Sequence, residues 1–395
     1  MKTLKFLCSL MTLFILISCE EEKQTPRFPG EAPEPITQYE IENTSGASTI
    51  TFKLNDTRTA YVKAVYTVEN GLVREAKSSK YANKLIVDGF AQAREYTIAL
   101  YAVGKDEKES EPVYVIVNPE TPPYQAVAHG VDIKEDWGGG RIIGSNPTGA
   151  QLMIGVLKRD PTTRQWVDVD LFFTESRKLT FNFRGQAPVE TEFGIYTRDK
   201  WQNYSDTVSF TFEPWEEIKL PISHQNPAHF SWIIAGDALQ TSNTYSKATM
   251  FDGRRATYAD GFYSANDNTP FPKFVTLDLL KNYQLSRFKY WMNGPTVYYA
   301  TANMKHIRIW GNTKASTDMS TWTLLGEWDN WRPSGRAVGE PYTDEDMEKA
   351  LAGNDFDFPL DLPAVRYIRI EAVTSWEPRT RLQIPELEFY GRPIN

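Results

Sequence analysis

The chain has 395 residues, enough for two to four domains rather than one, and its 51 Asp and Glu against 43 Lys and Arg give a formal net charge of −8. That balance offers no basic footprint for a phosphate backbone, which excludes nucleic acid as a partner. Both cysteines, Cys8 and Cys19, lie at the very start, so the remainder has no disulfide, no thiol chemistry and no cysteine-held metal, while 13% aromatic residues suit β-sandwich cores with a surplus for loops.

Residues 1–18 read as a signal peptide: Lys2 and Lys5 precede the run FLCSLMTLFILI, too short to span a bilayer comfortably. Leu16-Ile17-Ser18-Cys19 resembles a lipobox, which implies that Cys19 is lipidated through sulfur, exposed by cleavage and then acylated on nitrogen. Several acyl chains on one residue anchor stably, so the membrane is met through the lipid alone. Glu20-Glu21-Glu22 resembles the acidic export signal of Bacteroidetes lipoproteins bound for the outer face of the outer membrane, a solvated charge run being the alternative. Residues 19–37, with Pro26, Pro29, Pro33 and Pro35, form an extended tether.

In residues 38–119 the runs TITFKL (49–54), YVKAVYTV (61–68), 84–87, EYTIALYAV (95–103) and PVYVIV (112–117) alternate or are β-rich, and Asn55-Asp56, Asn70-Gly71 and Asp88-Gly89 punctuate them. GFAQAREYTIALYAVGKDEKESEPVYVIV resembles the last two strands of a fibronectin type III domain, with Tyr96 in the tyrosine-corner position; the implied role is a spacer. Residues 120–221 repeat the plan at 141–143, 152–157, 166–173, 178–183, 192–196 and 207–212. Gly138-Gly139-Gly140 with Gly144 has neither a leading strand nor a following helix, so it reads as a glycine-rich strand edge rather than a phosphate loop.

Residues 222–395 carry short β-patterned runs, among them FVTLDL, LSRFKYW, MKHIRIWGN, WTLLGEW and VRYIRIEAVTSW. The segment TDEDMEKALAG (343–353) departs from them: Thr343 can cap, three acids fill the first turn and Gly353 can stop the element, which predicts a short inserted helix. Bracketing this series are KATMFDGRRATY (247–258) and IPELEFYG (384–391). In that order the segments resemble a discoidin-type domain, the coagulation factor 5/8 type C jelly roll also used as the family-32 carbohydrate-binding module. The expected fold is therefore all-β: two fibronectin III-like β-sandwiches followed by a discoidin, galactose-binding-like jelly-roll sandwich.

The discoidin resemblance implies one structural calcium ion, held by Asp252, Thr257 and Glu386 with carbonyls at Thr249 and Pro385; Arg254 stands where many relatives place Asn and can still offer its carbonyl. An equal alternative makes Asp252-Gly253 a plain turn and Glu386 an ion-pair partner of Arg254 or Arg255. The resemblance also places ligand at loops on one end of the sandwich. Tyr263, Tyr298, Tyr299, Asn330, Trp331, Arg332, Trp376, Arg379 and Arg381 supply aromatic faces for a sugar's C–H face and planar polar groups for its hydroxyls.

No HExxH, GxSxG or cysteine nucleophile accompanies the four histidines, so no catalytic motif is present. The order of the three modules resembles Bacteroidetes surface lipoproteins encoded beside outer-membrane glycan importers. It implies a non-catalytic glycan-capturing protein facing the cell exterior, partnered by the importer and its surface lipoproteins. A structural, protein-binding subunit is the alternative, and a glycoside-active enzyme a third.

Overall fold

The computed structural model describes residues 30–255 and 261–394. The stretch expected to be a signal peptide, Cys19, most of the expected tether and Thr257 lie outside the described residues.

The first sandwich contains β1 (Gln38–Thr44), β2 (Ala47–Lys53), β3 (Thr59–Thr67), β4 (Val73–Ser79), β5 (Lys84–Asp88), β6 (Tyr96–Gly104) and β7 (Val113–Val117). They form two sheets, β1-β2-β5 and β4-β3-β6-β7. Alternation puts Val62, Ala64 and Tyr66 of β3 and Ile98, Leu100 and Ala102 of β6 into a core shared with Ile50, Phe52, Leu85 and Val87. Each fully buried Val, Leu, Ile or Phe side chain among them contributes about 1.5–3 kcal/mol. The Tyr96 hydroxyl sits 3.2 Å from the Gln92 carbonyl, four residues upstream, and 2.6 Å from Glu69 Oε1, the tyrosine-corner geometry expected of it.

A helix, α1 (Pro123–Gly130), joins this sandwich to the next. The Tyr124 hydroxyl donates to Ala91 O at 2.7 Å, and Thr197 Oγ1 donates to Tyr124 O, so the helix is bonded on both sides. The second sandwich comprises β8 (Asp132–Asp136), β9 (Gly139–Ser145), β10 (Leu152–Arg159), β11 (Trp166–Thr174), β12 (Lys178–Phe183), β13 (Thr191–Asp199) and β14 (Val208–Phe212). Its sheets are β8-β9-β12 and β11-β10-β13-β14, so every strand takes the neighbours of its counterpart seven strands earlier. The repeat expected from sequence is thus a repeat of topology.

Gly139 and Gly140 lie in β9, the middle strand of its sheet rather than an edge. A Cβ on Gly139 would stand 1.9 Å from the Phe183 carbonyl oxygen, and one on Gly140 would meet the Phe183 and Phe212 rings at 2.8 Å. The glycines therefore serve close strand packing.

The third module contains β15 (Ile218–Lys219), β16 (Phe262–Tyr263), β17 (Lys273–Trp291), β18 (Met304–Asn312), β19 (Thr323–Asp329), α2 (Asp344–Ala352), β20 (Asn354–Asp357), β21 (Val365–Ser375), β22 (Gln383–Ile384) and β23 (Glu386–Pro393). The large sheet runs β15-β23-β17-β21-β18-β19, with β20 also on β17, and β16 pairs β22 separately. Strand β17 pairs with β21 up to Asp278, shifts register, and from Tyr283 pairs with β23. This one strand thereby serves two sets of partners around a core of Val275, Leu277, Phe288, Tyr290, Ile307, Ile370 and Phe389.

The inserted helix is where the sequence put it: Thr343 Oγ1 accepts the Asp346 N–H in a capping box, and Gly353 ends α2 at φ +81°. A side chain at Gly353 would also collide with Trp291, 2.5 Å away.

Two compact units result. One is residues 30–132, 142–181 and 192–210; the other is 133–141, 182–191, 211–255 and 261–394.

Candidate functional site

Strand β21 ends at Ser375, and the following loop, 376–382, leads back into β22. Asn303, wholly buried, fixes that loop from beneath. Its side-chain oxygen accepts the Asn293 N–H at 2.8 Å, and its amide donates to the carbonyls of Val297 at 2.9 Å and Ala300 at 3.2 Å. Its main-chain carbonyl accepts the Trp376 N–H at 3.1 Å. Buried polar groups need partners, and here their satisfaction ties the β17–β18 connection to the loop after β21. Asn330 secures the start of β18 likewise, donating through Nδ2 to Met304 O at 3.1 Å and through its N–H to Lys305 O at 2.7 Å.

Held this way, Trp376 is half-buried, its ring edge-on to Tyr299 with centroids 5.3 Å apart, and Lys305 Nζ lies 5.1 Å from the ring centre. Trp376, Pro270, Phe271 and Pro378 make the apolar wall of a cleft of about 880 Å³. Lys305, His306, Asp329, Thr374, Ser375, Arg379 and Thr380 supply most of its polar wall. That volume, and that mixture of aromatic wall with a few polar groups, are those of small-molecule sites.

His306 Nδ1 is 2.7 Å from Asp329 Oδ1, and its Nε2 meets Glu327. The bond to Asp329 raises the imidazole pKa, partial burial opposes it, and the Glu327 bond adds to the rise. A second cleft, about 310 Å³, is lined by Tyr263, Asn266, Thr301, Ala302, Arg379, Thr380, Arg381 and Gln383; the two share Arg379 and Thr380. The Arg381 guanidinium lies 5.2 Å from the Tyr263 ring centre.

Tyr263, Trp376, Arg379 and Arg381, four of the nine side chains expected to meet a glycan, line these clefts. Trp331 is 60% exposed but belongs to neither lining. The remaining four are corrections, for they lie in the interior. Tyr298 and Tyr299 close the core beside α2, where the Tyr299 hydroxyl donates to Asp346 O at 3.2 Å. Asn330 is spent on the start of β18.

Arg332, 5% exposed, donates from Nε to Asp346 Oδ2 at 2.8 Å, from Nη1 to Ala337 O at 2.8 Å and from Nη2 to Pro341 O at 2.7 Å. A guanidinium is buried only when its donors are met, and these are. Sequence reasoning missed Phe271, Lys305 and His306. The last two are adjacent in MKHIRIWGN and both stay uncovered because the register of β18 shifts around His306, an irregularity that nothing in the pattern announces.

The expected cation ligands meet in part. Asp252 ends a short 3-10 turn, Lys247–Phe251, and Glu386 begins β23, buried. Burial pushes the Glu386 carboxyl up to about 8, Asp252 adding to the rise, while the Gly253 N–H at 3.1 Å opposes it. Gly261, at φ +89°, leaves no room for a side chain, since a Cβ would stand 2.5 Å from the Pro385 carbonyl oxygen.

The ion-pair alternative is corrected in its partners: Arg254 Nε is 3.9 Å from Asp252, and Arg255 pairs with Glu388 while stacking 4.3 Å from the Trp291 ring centre. Glu386 is buried, Asp252 is half-buried within electrostatic reach of it, and two carboxylates so placed fit a hard cation by donor chemistry. Thr257 lies outside the described residues. Among the described residues no three His, Cys, Asp or Glu side chains cluster as a metal site, and no helix is long and apolar enough to cross a membrane.

Three family models match the chain, each a domain of unknown function: DUF4959 over residues 33–119, DUF5126 over 120–223 and DUF5000 over 251–391. No curated protein matches. Among solved structures, SusE-like protein BT2857 is 25% identical with a TM-score of 0.43, over 69% of this chain and 100% of that one. The two-domain fibronectin type III segment of chicken tenascin is 14% identical with a TM-score of 0.24, over 46% and 99%. GH31 CBM32-2 bound to GalNAc is 17% identical with a TM-score of 0.27, over 40% and 97%. Each module is thus similar to a family defined without a function.

Proposed function

We propose that this protein is a non-catalytic glycan-binding lipoprotein of the cell surface, which captures polysaccharide or oligosaccharide for an outer-membrane import system. One observation carries the binding reading: the cleft at the end of the third module sets the half-buried ring of Trp376 against Lys305, His306, Asp329 and Arg379. A pyranose presents an apolar C–H face and a ring of hydroxyls, and this wall offers a partner for each.

Asp329 is the one carboxylate among the described residues lining either cleft, whereas glycoside hydrolysis uses two across a cleft, so the reading is capture without bond cleavage. The lipobox at Cys19 and the acids after it support surface anchoring through lipid. Two sandwiches ahead of the third module would act as spacers. Asp252 and Glu386, with the carbonyls of Thr249 and Pro385, would hold a calcium ion whose chemistry is structural, joining the entry of the module to its last strand.

Affinity electrophoresis of the full mature chain through gels containing single polysaccharides tests the reading. Retardation by at least one polysaccharide, relieved in Trp376→Ala, is expected; unretarded migration through a broad panel would refute it.

A further inference from the structure

The chain as a whole is acidic, yet the lining of the two clefts is not: it holds Lys305, Arg379, Arg381 and His306 against the single carboxylate of Asp329. Asp329 is engaged by His306, and Arg379 is paired with Glu377 behind it. Asp267, on the neighbouring loop, pairs with Lys273. Lys305 and Arg381 have no carboxylate partner among the described residues. Each instead lies beside an aromatic ring, Lys305 at Trp376 and Arg381 at Tyr263. Because the clefts meet at Arg379 and Thr380, the two unpaired cations flank one continuous receptive surface.

A neutral sugar would leave both cations with only water to answer them. A ligand carrying negative charge would convert each into a charge-assisted contact, roughly twice as strong as a neutral one. The rings beside them set the spacing, since a residue stacked on Trp376 or Tyr263 brings its substituents to the adjacent cation.

We infer that the glycan this site takes is anionic, its carboxylate or sulfate groups received by Lys305 and Arg381. This rests on the glycan-binding reading above and names its ligand class. The probes are polygalacturonate, alginate and hyaluronate for carboxylates, chondroitin sulfate for sulfates, and the carboxyl-reduced or desulfated form of each, all run with the full mature chain. Retardation by one of the acidic polymers, lost on carboxyl reduction or desulfation, is expected, and which treatment abolishes it tells carboxylate from sulfate.

Lys305→Met and Arg381→Gln should each weaken that binding about tenfold and flatten its dependence on salt. Lys305 is exposed and Arg381 half-buried, and each meets one aromatic ring and no carboxylate among the described residues, so the variants fold. Retardation only by neutral polymers would overturn the anionic ligand and leave glycan binding standing; retardation by no polymer of either kind would overturn both. Acidic binding that survives unchanged in the Lys305→Met/Arg381→Gln double variant would also overturn the inference, since the attraction would then arise elsewhere on the chain.

Discussion

Replacing Arg332 by Met separates two readings of one residue. In the sequence it belongs to DNWR and invites a role at a ligand; in the structure its side chain is 3% exposed and faces an Asp346 side chain of 0% exposure. Removing one partner of a buried ion pair strands the other, at a cost of about 3–5 kcal/mol. Asp346 keeps the N–H groups of Ser334 and Thr343 and the Ser334 hydroxyl, and the freed carbonyls lie in an exposed loop that water reaches, so the lower half of that range is the better expectation.

For a module of this size each kcal/mol moves the melting point by about 2–4 °C, which predicts a fall of roughly 6–16 °C. Calorimetry of the full chain reads it, and affinity electrophoresis at a temperature where the variant is folded reads binding. The pair Arg332→Met/Asp346→Asn should recover part of the loss, because the stranded charge is gone while the helix cap keeps an acceptor. A melting point within about 2 °C of the parent, together with lost retardation, would refute the interior assignment and return Arg332 to the ligand surface.

Acid should weaken the same region. Burial pushes the Asp346 carboxyl up, but the Ser334 and Thr343 N–H groups and Arg332 outweigh it and hold the carboxyl well below the usual carboxylate range. Its stabilisation is therefore present above the unfolded value near about 3.9 and lost as pH falls toward the folded one; Asp346→Asn should flatten the acid limb of a urea-midpoint titration. Calcium should raise the melting point of the full chain, chelation should lower it, and Glu386→Ala should abolish the difference, a saturation of about a hundredfold over Kd being worth about 2.7 kcal/mol. Tyr96→Phe should cost the first sandwich about 1–1.5 kcal/mol in urea unfolding, as the loss of its bonds to Gln92 and Glu69 requires. Trp331→Ala, by contrast, should leave stability within about 0.5 kcal/mol and retardation unchanged.

How much of this was legible depends on where each segment keeps its apolar side chains. YVKAVYTV and EYTIALYAV alternate because one face of β3 and of β6 is buried, and both were readable. VREAKSS is an equally regular strand, β4, but it is an edge whose best-covered residues are only partly buried, so no period betrays it. QYEIENT, the strand β1, hides for the same reason, and DIKED, β8, hides because one of the two residues it buries is Asp136, which reads as polar. The helix α1 escaped because PYQAVAHG is only eight residues long and opens on the second proline of a pair that reads as a linker.

At the site, side-chain type was a good guide to the 376–381 loop and a poor one to NGPTVYY (293–299) and DNWR (329–332). Tyr298, Tyr299, Asn330 and Arg332 have the chemistry of ligand contacts, and the fold spends it inward, on α2 and on the start of β18. What sequence lacked was the direction in which strand ends face, which depends on pairings far apart in the chain, such as Asn303 with the loop at Trp376.

The most direct measurement is the retardation of the full mature chain and of its Trp376→Ala variant, side by side, through a panel of gels each holding one polysaccharide. The account predicts that at least one gel slows the parent and that the variant binds it roughly thirtyfold more weakly or worse, as loss of a central aromatic contact requires. Equal mobility of parent and variant in every gel would contradict it.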